Sequence, residues 1–246
     1  MPHLLAGLAT LAAMASTVPT PPSGENRAQA AAQRVSPALT EALQPHGASI
    51  GDPVFIRIVK EQRLCELWIK ARDRQNYTLF KNYEIAGMSG TLGPKKQEGD
   101  MQAPEGFYST CTGLLNPRSN YHLSFNIGYP NAYDTAQGYT GSFIMLHGKD
   151  VSIGCFAMTD PGIEEIYTLV TAALHAGQTS IPIQIYPFPM TEDNLHTHRN
   201  SPHIDFWRQL APAWQYTEQH HAPAPVAVTE GTYTLPNPMQ NKNKTP

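Results

Sequence analysis

An apolar run, Ser142-Phe-Ile-Met-Leu146, ends in His147-Gly148, and seven residues separate that histidine from Cys155 in Ser152-Ile-Gly154-Cys155. This order constrains the fold more than any other feature of the chain. A short apolar run bounded by turn residues reads as a buried strand, and it delivers an imidazole where the backbone leaves the sheet. A polar loop with a glycine able to adopt unusual backbone angles follows. Thr159-Asp160-Pro161 then starts a helix, with Thr159 or Asp160 as cap and Pro161 in the first turn. Ile163, Ile166, Tyr167, Val170 and Leu174 recur at helical spacing, and Gly177 marks the stop.

The rest of the chain alternates like a sheet protein. Val54–Val59, with Arg57 interrupting one face, Leu64–Ile69 and Tyr77–Ala86 read as an antiparallel meander. Phe107-Tyr108, Tyr121–Phe125 and Ile181–Tyr186 add strands. Gly87–Gly106 is a Gly/Pro-rich loop of a length that is either functional or disordered, and residues 126–141 form a second, aromatic-rich loop. Ser36-Pro37 starts a short helix within an otherwise linker-like stretch, 16–50. Ile204, Phe206, Trp207 and Leu210 predict a closing helix within an extension at 191–219, and residues 220–246 read as a disordered tail. The main body is then 51–190. The fold class predicted is α+β, mainly β, with a few packed helices.

The 246 residues suffice for one sizeable core. The net charge of −3 and the lack of a basic stripe argue against nucleic acid as a partner. Leu4–Met14 is too short to span a bilayer, and Ala13-Met14-Ala15 has the small-x-small pattern of a signal cleavage point, so residues 1–15 read as an export signal. Of the three cysteines, Cys65 and Cys111 are open to pairing or to burial as small hydrophobes, which leaves Cys155 over.

A thiol nucleophile needs a base, a group that orients the base, and donors for an oxyanion. Cys155 and His147 supply the first two members. The Gly148 carbonyl can hold the imidazole tautomer, and Ser152, Gly154 and Cys155 can turn amides toward one point. Taken singly, Cys155 also fits a core position and His147 a structural one; their combination favours thiol chemistry. Tyr121, His122, Tyr133 and Asp134 are candidates to contact a substrate, against loop packing or a buried structural histidine. Lys95 and Lys96 could meet an anionic polymer, although loop lysines are usually just solvated. His196, His198 and His203 lack the companion ligands of a metal site, so neither metal nor cofactor is expected.

The segment His147-Gly148 to Ser152-Ile-Gly-Cys155 resembles the catalytic motif of the YkuD-type L,D-transpeptidase family. Glu98-Gly-Asp-Met-Gln-Ala-Pro-Glu-Gly-Phe-Tyr108, Tyr121-His-Leu-Ser-Phe-Asn126, Pro130-Asn-Ala-Tyr-Asp134 and Gly154–Asp160 resemble its YafK-like branch, over about 53–189. The resemblance implies a YkuD-like β-sandwich facing peptidoglycan in the periplasm, with Cys155 as nucleophile, His147 as base, Gly148 orienting it, and amides near Gly154 and Cys155 as the oxyanion hole. It implies stem peptides as substrates, and an outer-membrane lipoprotein released by cutting its diaminopimelate–lysine link. Two features depart from the family pattern: the seven-residue spacer is short, and Ala157 replaces a basic residue. Both fit water as acceptor. The alternatives are an L,D-transpeptidase forming 3–3 cross-links or attaching lipoprotein, and a non-catalytic wall-binding module. Oligomeric state is not legible.

Overall fold

The computed structural model describes residues 24–236. The expected export signal, 1–15, and the last ten residues lie outside them. Helix α1 spans Gly24–Leu43, followed by strands β1 (Val54–Val59), β2 (Leu64–Ile69), β3 (Thr78–Glu84), β4 (Gly106–Thr110), β5 (Leu115–Asn116) and β6 (Ser124–Asn126). Then come α2 (Ala132–Ala136), β7 (Met145–His147), β8 (Phe156–Ala157), α3 (Thr159–His175), β9 (Ile181–Tyr186), α4 (Glu192–Thr197), α5 (Ile204–His220), β10 (Ala227–Thr229) and β11 (Thr232–Thr234). The class is α+β. Helices hold more residues (32%) than strands (22%), yet the sheets carry the site.

One sheet has the order β3-β2-β1-β9-β4, the other β5-β6-β7-β8. β1 pairs antiparallel with β2 and parallel with β9. Every residue of β1 is buried, because the sheet is covered on both faces. Ile56 and Ile58 point into a core shared with Phe125 and Leu146 of the second sheet and with Ile163, Ile166 and Val170 of α3. On the opposite face lies α5. Arg57, the residue that breaks the apolar pattern, bonds Glu66 Oε2 at 2.6 Å, pairs with Glu218 of α5, and lies 4.0 Å from the Trp214 ring. A charged side chain in the middle of a buried strand is tolerated because each of its polar edges has a partner.

Two expectations are corrected. The stretch 16–50 contains a 20-residue helix through which Pro37 passes, rather than a linker and a short helix begun at Ser36. Ala31, Leu39 and Leu43 bury against the core, and Arg34 pairs with Glu164 of α3 at 2.6 Å; this packing offsets the hydrogen bond that a proline removes. The stretch 220–246 is not a disordered tail where it is described. Val228 and Tyr233 lie on a β10–β11 hairpin, whose Glu230 (φ 50°) and Gly231 (φ 71°) form the two-residue turn. Tyr233 stacks on Tyr133 with ring centres 4.3 Å apart, which fastens the hairpin to the body.

The loop 87–106 is folded around a buried ion pair. Lys60 Nζ donates to the carbonyls of Thr91, Gly93 and Ala103 and to Glu105 Oε1, all within 3.0 Å. Glu105 also accepts from the Gly93 amide at 2.6 Å and from Trp207 Nε1 at 2.7 Å. A core charge thereby fixes a loop that has few apolar residues of its own.

Candidate active site

β7 is held between β6 and β8. Ser124 stands opposite His147 in the antiparallel pair, and Leu146 and His147 stand opposite Phe156 and Ala157 in the parallel pair. Extending that register by one residue sets Cys155 beside Met145, whose amide lies 3.4 Å from Cys155 Sγ. Side chains two apart along a strand share a face. Cys155 and His147 are thus diagonal neighbours on one face, about 8 Å apart between Cα atoms from strand spacing and rise. A cavity of about 320 Å³ opens there, with Cys155, His147, Tyr121, Ser124, Phe143 and Ile153 in its wall.

His147 is buried, and its Nδ1 lies 2.6 Å from the Gly148 carbonyl. A carbonyl only accepts, so Nδ1 carries the proton and Nε2 is left basic. The Tyr121 ring packs on the imidazole with centres 4.8 Å apart. Gly148 is itself locked, its amide reaching the carbonyls of Tyr121 (3.0 Å) and Leu123 (3.1 Å). A Cβ on Gly148 would lie 2.6 Å from Asp160 Oδ1 and 2.8 Å from the Tyr121 carbonyl. Gly148→Ala is therefore expected to shift the carbonyl that orients His147 and to lower kcat by about 10²-fold with little change in KM. Steady-state kinetics check this, and an unaltered kcat would contradict it.

Ser152 holds the turn into Cys155. Its hydroxyl donates to the Cys155 carbonyl at 2.7 Å and accepts from the Gly154 amide at 3.2 Å. The Gly154 amide, expected to serve an oxyanion, here donates to the Ser152 hydroxyl. The Cys155 amide has no acceptor among the described residues and is the available donor. Gly154 has φ 124°, a conformation that suits glycine.

Burial pushes the Cys155 thiol up, against the pull of the Met145 amide and the Lys95 charge. Burial likewise pulls His147 down, opposed by its bond to Gly148. At neutral pH the resting pair is thiol and neutral imidazole. Protonating His147 removes the base, so the acid limb of kcat/KM is expected below pH 6.5, the ordinary histidine value. Alkylation of Cys155 by iodoacetamide should climb through pH 9.0, the ordinary thiol value, without an earlier plateau. A plateau near pH 6 would reveal a preformed thiolate–imidazolium pair and contradict this.

The segment that opens the 87–106 loop runs beside β8: Ala157 donates to the Gly87 carbonyl at 2.8 Å and accepts from the amides of Ala86 and Gly87. The Ala157 side chain is buried against Gly87, so the cation facing the cavity comes from elsewhere. It is Lys95, which is buried and bound to Asp100 Oδ1 at 2.5 Å rather than solvated. The Asp100 carboxyl is pulled down to about 2; burial works against this, and the Lys95 bond and three backbone amides outweigh it. Glu98, Ser124, Phe143 and Ile153 also line the cavity without having been singled out in the sequence. Phe143 and Ile153 carried a signal, since large apolar side chains flank the motif; both are strongly exposed.

Other candidates lie apart. Tyr121 lines the cavity, but His122 turns away and bonds Glu164 Oε1 at 2.7 Å within the Arg34–Glu164 pair. Tyr133 is buried between Phe206 and Tyr233. Asp134 is buried in a capping box with Asn131, and desolvation pushes its carboxyl up to about 6. Packing removes both from any substrate. His198 stacks on Phe188 and His203 packs on Trp207. All three cysteines are free; Cys65 is in the core and Cys111 half-buried.

Residues 53–185 match the family model of the YkuD L,D-transpeptidase catalytic domain, more than half of the chain. The YafK proteins of Escherichia coli K12 and O157:H7 are each 47% identical over 193 residues, 78% of this chain and 78% of theirs. Among solved structures, the helical cell shape determining protein Pgp2 from Campylobacter jejuni aligns over 77% of this chain and 79% of its own, at 16% identity and a TM-score of 0.43. By the family-model match over more than half of its length and the 47% identity to the YafK proteins, the chain belongs to the YkuD L,D-transpeptidase catalytic domain family.

Proposed function

We propose that the protein is a periplasmic, cysteine-dependent hydrolase of peptidoglycan that cleaves the meso-diaminopimelate–lysine amide linking outer-membrane lipoprotein to the wall. The observation that carries this reading is one cavity shared by Cys155 Sγ and a His147 whose Nδ1 is committed to the Gly148 carbonyl. In the proposed cycle His147 Nε2 takes the thiol proton as Sγ bonds to the carbonyl carbon at the L-centre of diaminopimelate. The Cys155 amide receives the oxyanion. The carbon–nitrogen bond breaks, and His147 returns its proton to the departing lysine amine. A water molecule, deprotonated by His147, then attacks the thioester and frees a carboxylate and the thiol.

Water as acceptor is favoured by the seven-residue link between His147 and Cys155, which is too short to build a long cover over the site. The cavity, about 320 Å³, is at the small end of the range for ligand sites, so it suits one peptide branch better than two. Mass spectrometry of muropeptides from lipoprotein-bearing sacculi tests the reading. Free tripeptide ends are expected. New 3–3 cross-links or new lipoprotein-linked tripeptides would replace it with the transpeptidase alternative. Export with removal of residues 1–15 belongs to the same proposal, and the N-terminal sequence of periplasmic protein reads it directly.

A further inference from the structure

The catalytic cavity carries polar groups that the chemistry of Cys155 and His147 does not use. Lys95 and Glu98 are the oppositely charged side chains in its wall. An ammonium has three donors. On Lys95, one is engaged by the Gln97 carbonyl at 2.8 Å and one by Asp100 Oδ1 at 2.5 Å. The third has no acceptor among the described residues. Asp100 also accepts from the amides of Lys96, Gln97 and Gln102, so its charge is shared among four donors. The Lys95 stem is clamped as well: a Cβ on Gly141 would lie 3.0 Å from its Cε. Glu98 is anchored through its amide, which donates to Thr140 Oγ1 at 3.1 Å, and its carboxylate has no partner among the described residues. Ser124 Oγ, in the same wall, is buried without a partner.

A cation with an open donor and an unpaired carboxylate, three residues apart on one loop, match a group that bears ammonium and carboxylate on a single carbon. We propose that Lys95 and Glu98 form a subsite for a zwitterionic amino-acid centre of the acyl donor, with Lys95 taking the carboxylate and Glu98 the ammonium. The inference rests on the peptidoglycan reading above. The D-centre of diaminopimelate is such a group, one side-chain length from the L-centre carbonyl that the thiol attacks. A subsite built for charge rejects a neutral analogue because its own charged groups are then left unpaired.

Calorimetric titration of the Cys155→Ala protein with three stem peptides tests this. One has the free D-centre, one carries that carboxyl as an amide, and one carries that amine acetylated. Each modification is expected to weaken binding about tenfold or more. Adding Lys95→Met should erase the penalty for amidation and keep that for acetylation; adding Glu98→Gln should do the reverse. Glu98 is exposed, so its variant keeps the subsite falsifiable if Lys95→Met fails to fold. Equal affinity for the three peptides, or unchanged discrimination in both variants, would overturn the subsite and leave the thiol chemistry standing. Failure of that chemistry would show instead as continued turnover by Cys155→Ala, which these affinities do not register. No binding of the unmodified peptide would overturn both.

Discussion

Cys155→Ala is expected to keep the fold and to lower release of lipoprotein from purified sacculi by at least about 10⁴-fold. The size follows from the division of labour in the site. His147 has no nucleophile to activate once the sulfur is gone, and the Cys155 amide has no tetrahedral intermediate to hold. The fold survives because Sγ makes two long backbone contacts, accepting from the Met145 amide at 3.4 Å and donating to the Phe143 carbonyl at 3.7 Å, and sits at the cavity rather than in the core. Circular dichroism and thermal unfolding check the fold, and densitometry of released lipoprotein checks the activity. Release within tenfold of the parent would contradict the assignment.

Lys60→Met is the substitution expected to cost most in stability, about 3–5 kcal/mol. The Lys60 and Glu105 side chains are 1% and 0% exposed, so the carboxylate would stay in the interior without its cation. Three loop carbonyls, of Thr91, Gly93 and Ala103, would lose a donor together. For a chain of this length the loss corresponds to a fall in Tm of about 10 °C. The 87–106 loop should also become protease-sensitive, and with it the Lys95 side of the catalytic cavity. A Tm within 2 °C of the parent would show that the ion pair is replaceable, contrary to this expectation.

The parts of the fold that were legible in the sequence carry strong periodicity. The strands 54–59, 64–69 and 181–186 and the helices begun at Thr159 and Ile204 all appear, because their apolar faces meet the two cores. The front half of α1 was missed because Ala- and Gln-rich residues 28–33 resemble a linker. Alanine is also the best helix former, and packing on α3 settles the matter. The final hairpin did leave a signal: Thr229-Glu-Gly-Thr232, flanked by Val228 and Tyr233, is a turn between alternating residues.

Of the candidate site, the proximity of His147 and Gly148 to Ser152 and Cys155 was legible because one short segment carries them. Asp134 was misassigned although Asn131 stands three residues before it, the spacing of a capping box. Lys95 could not be placed, since its burial depends on Gly141 and Tyr129, well over thirty residues away. The direction in which His122 points was equally hidden, because Glu164 lies on a helix 42 positions on.

In the proposed cycle Cys155 itself carries the acyl group. Acid-quenched enzyme, taken during turnover of a stem-peptide substrate, can be weighed intact and then mapped by proteolysis. A mass increase equal to the substrate less the departed amine is expected, located on the peptide containing Cys155 and absent from Cys155→Ala. Product formed while Cys155 remains unmodified at every quench time, in a protein whose Cys155→Ala variant is equally active, would contradict it.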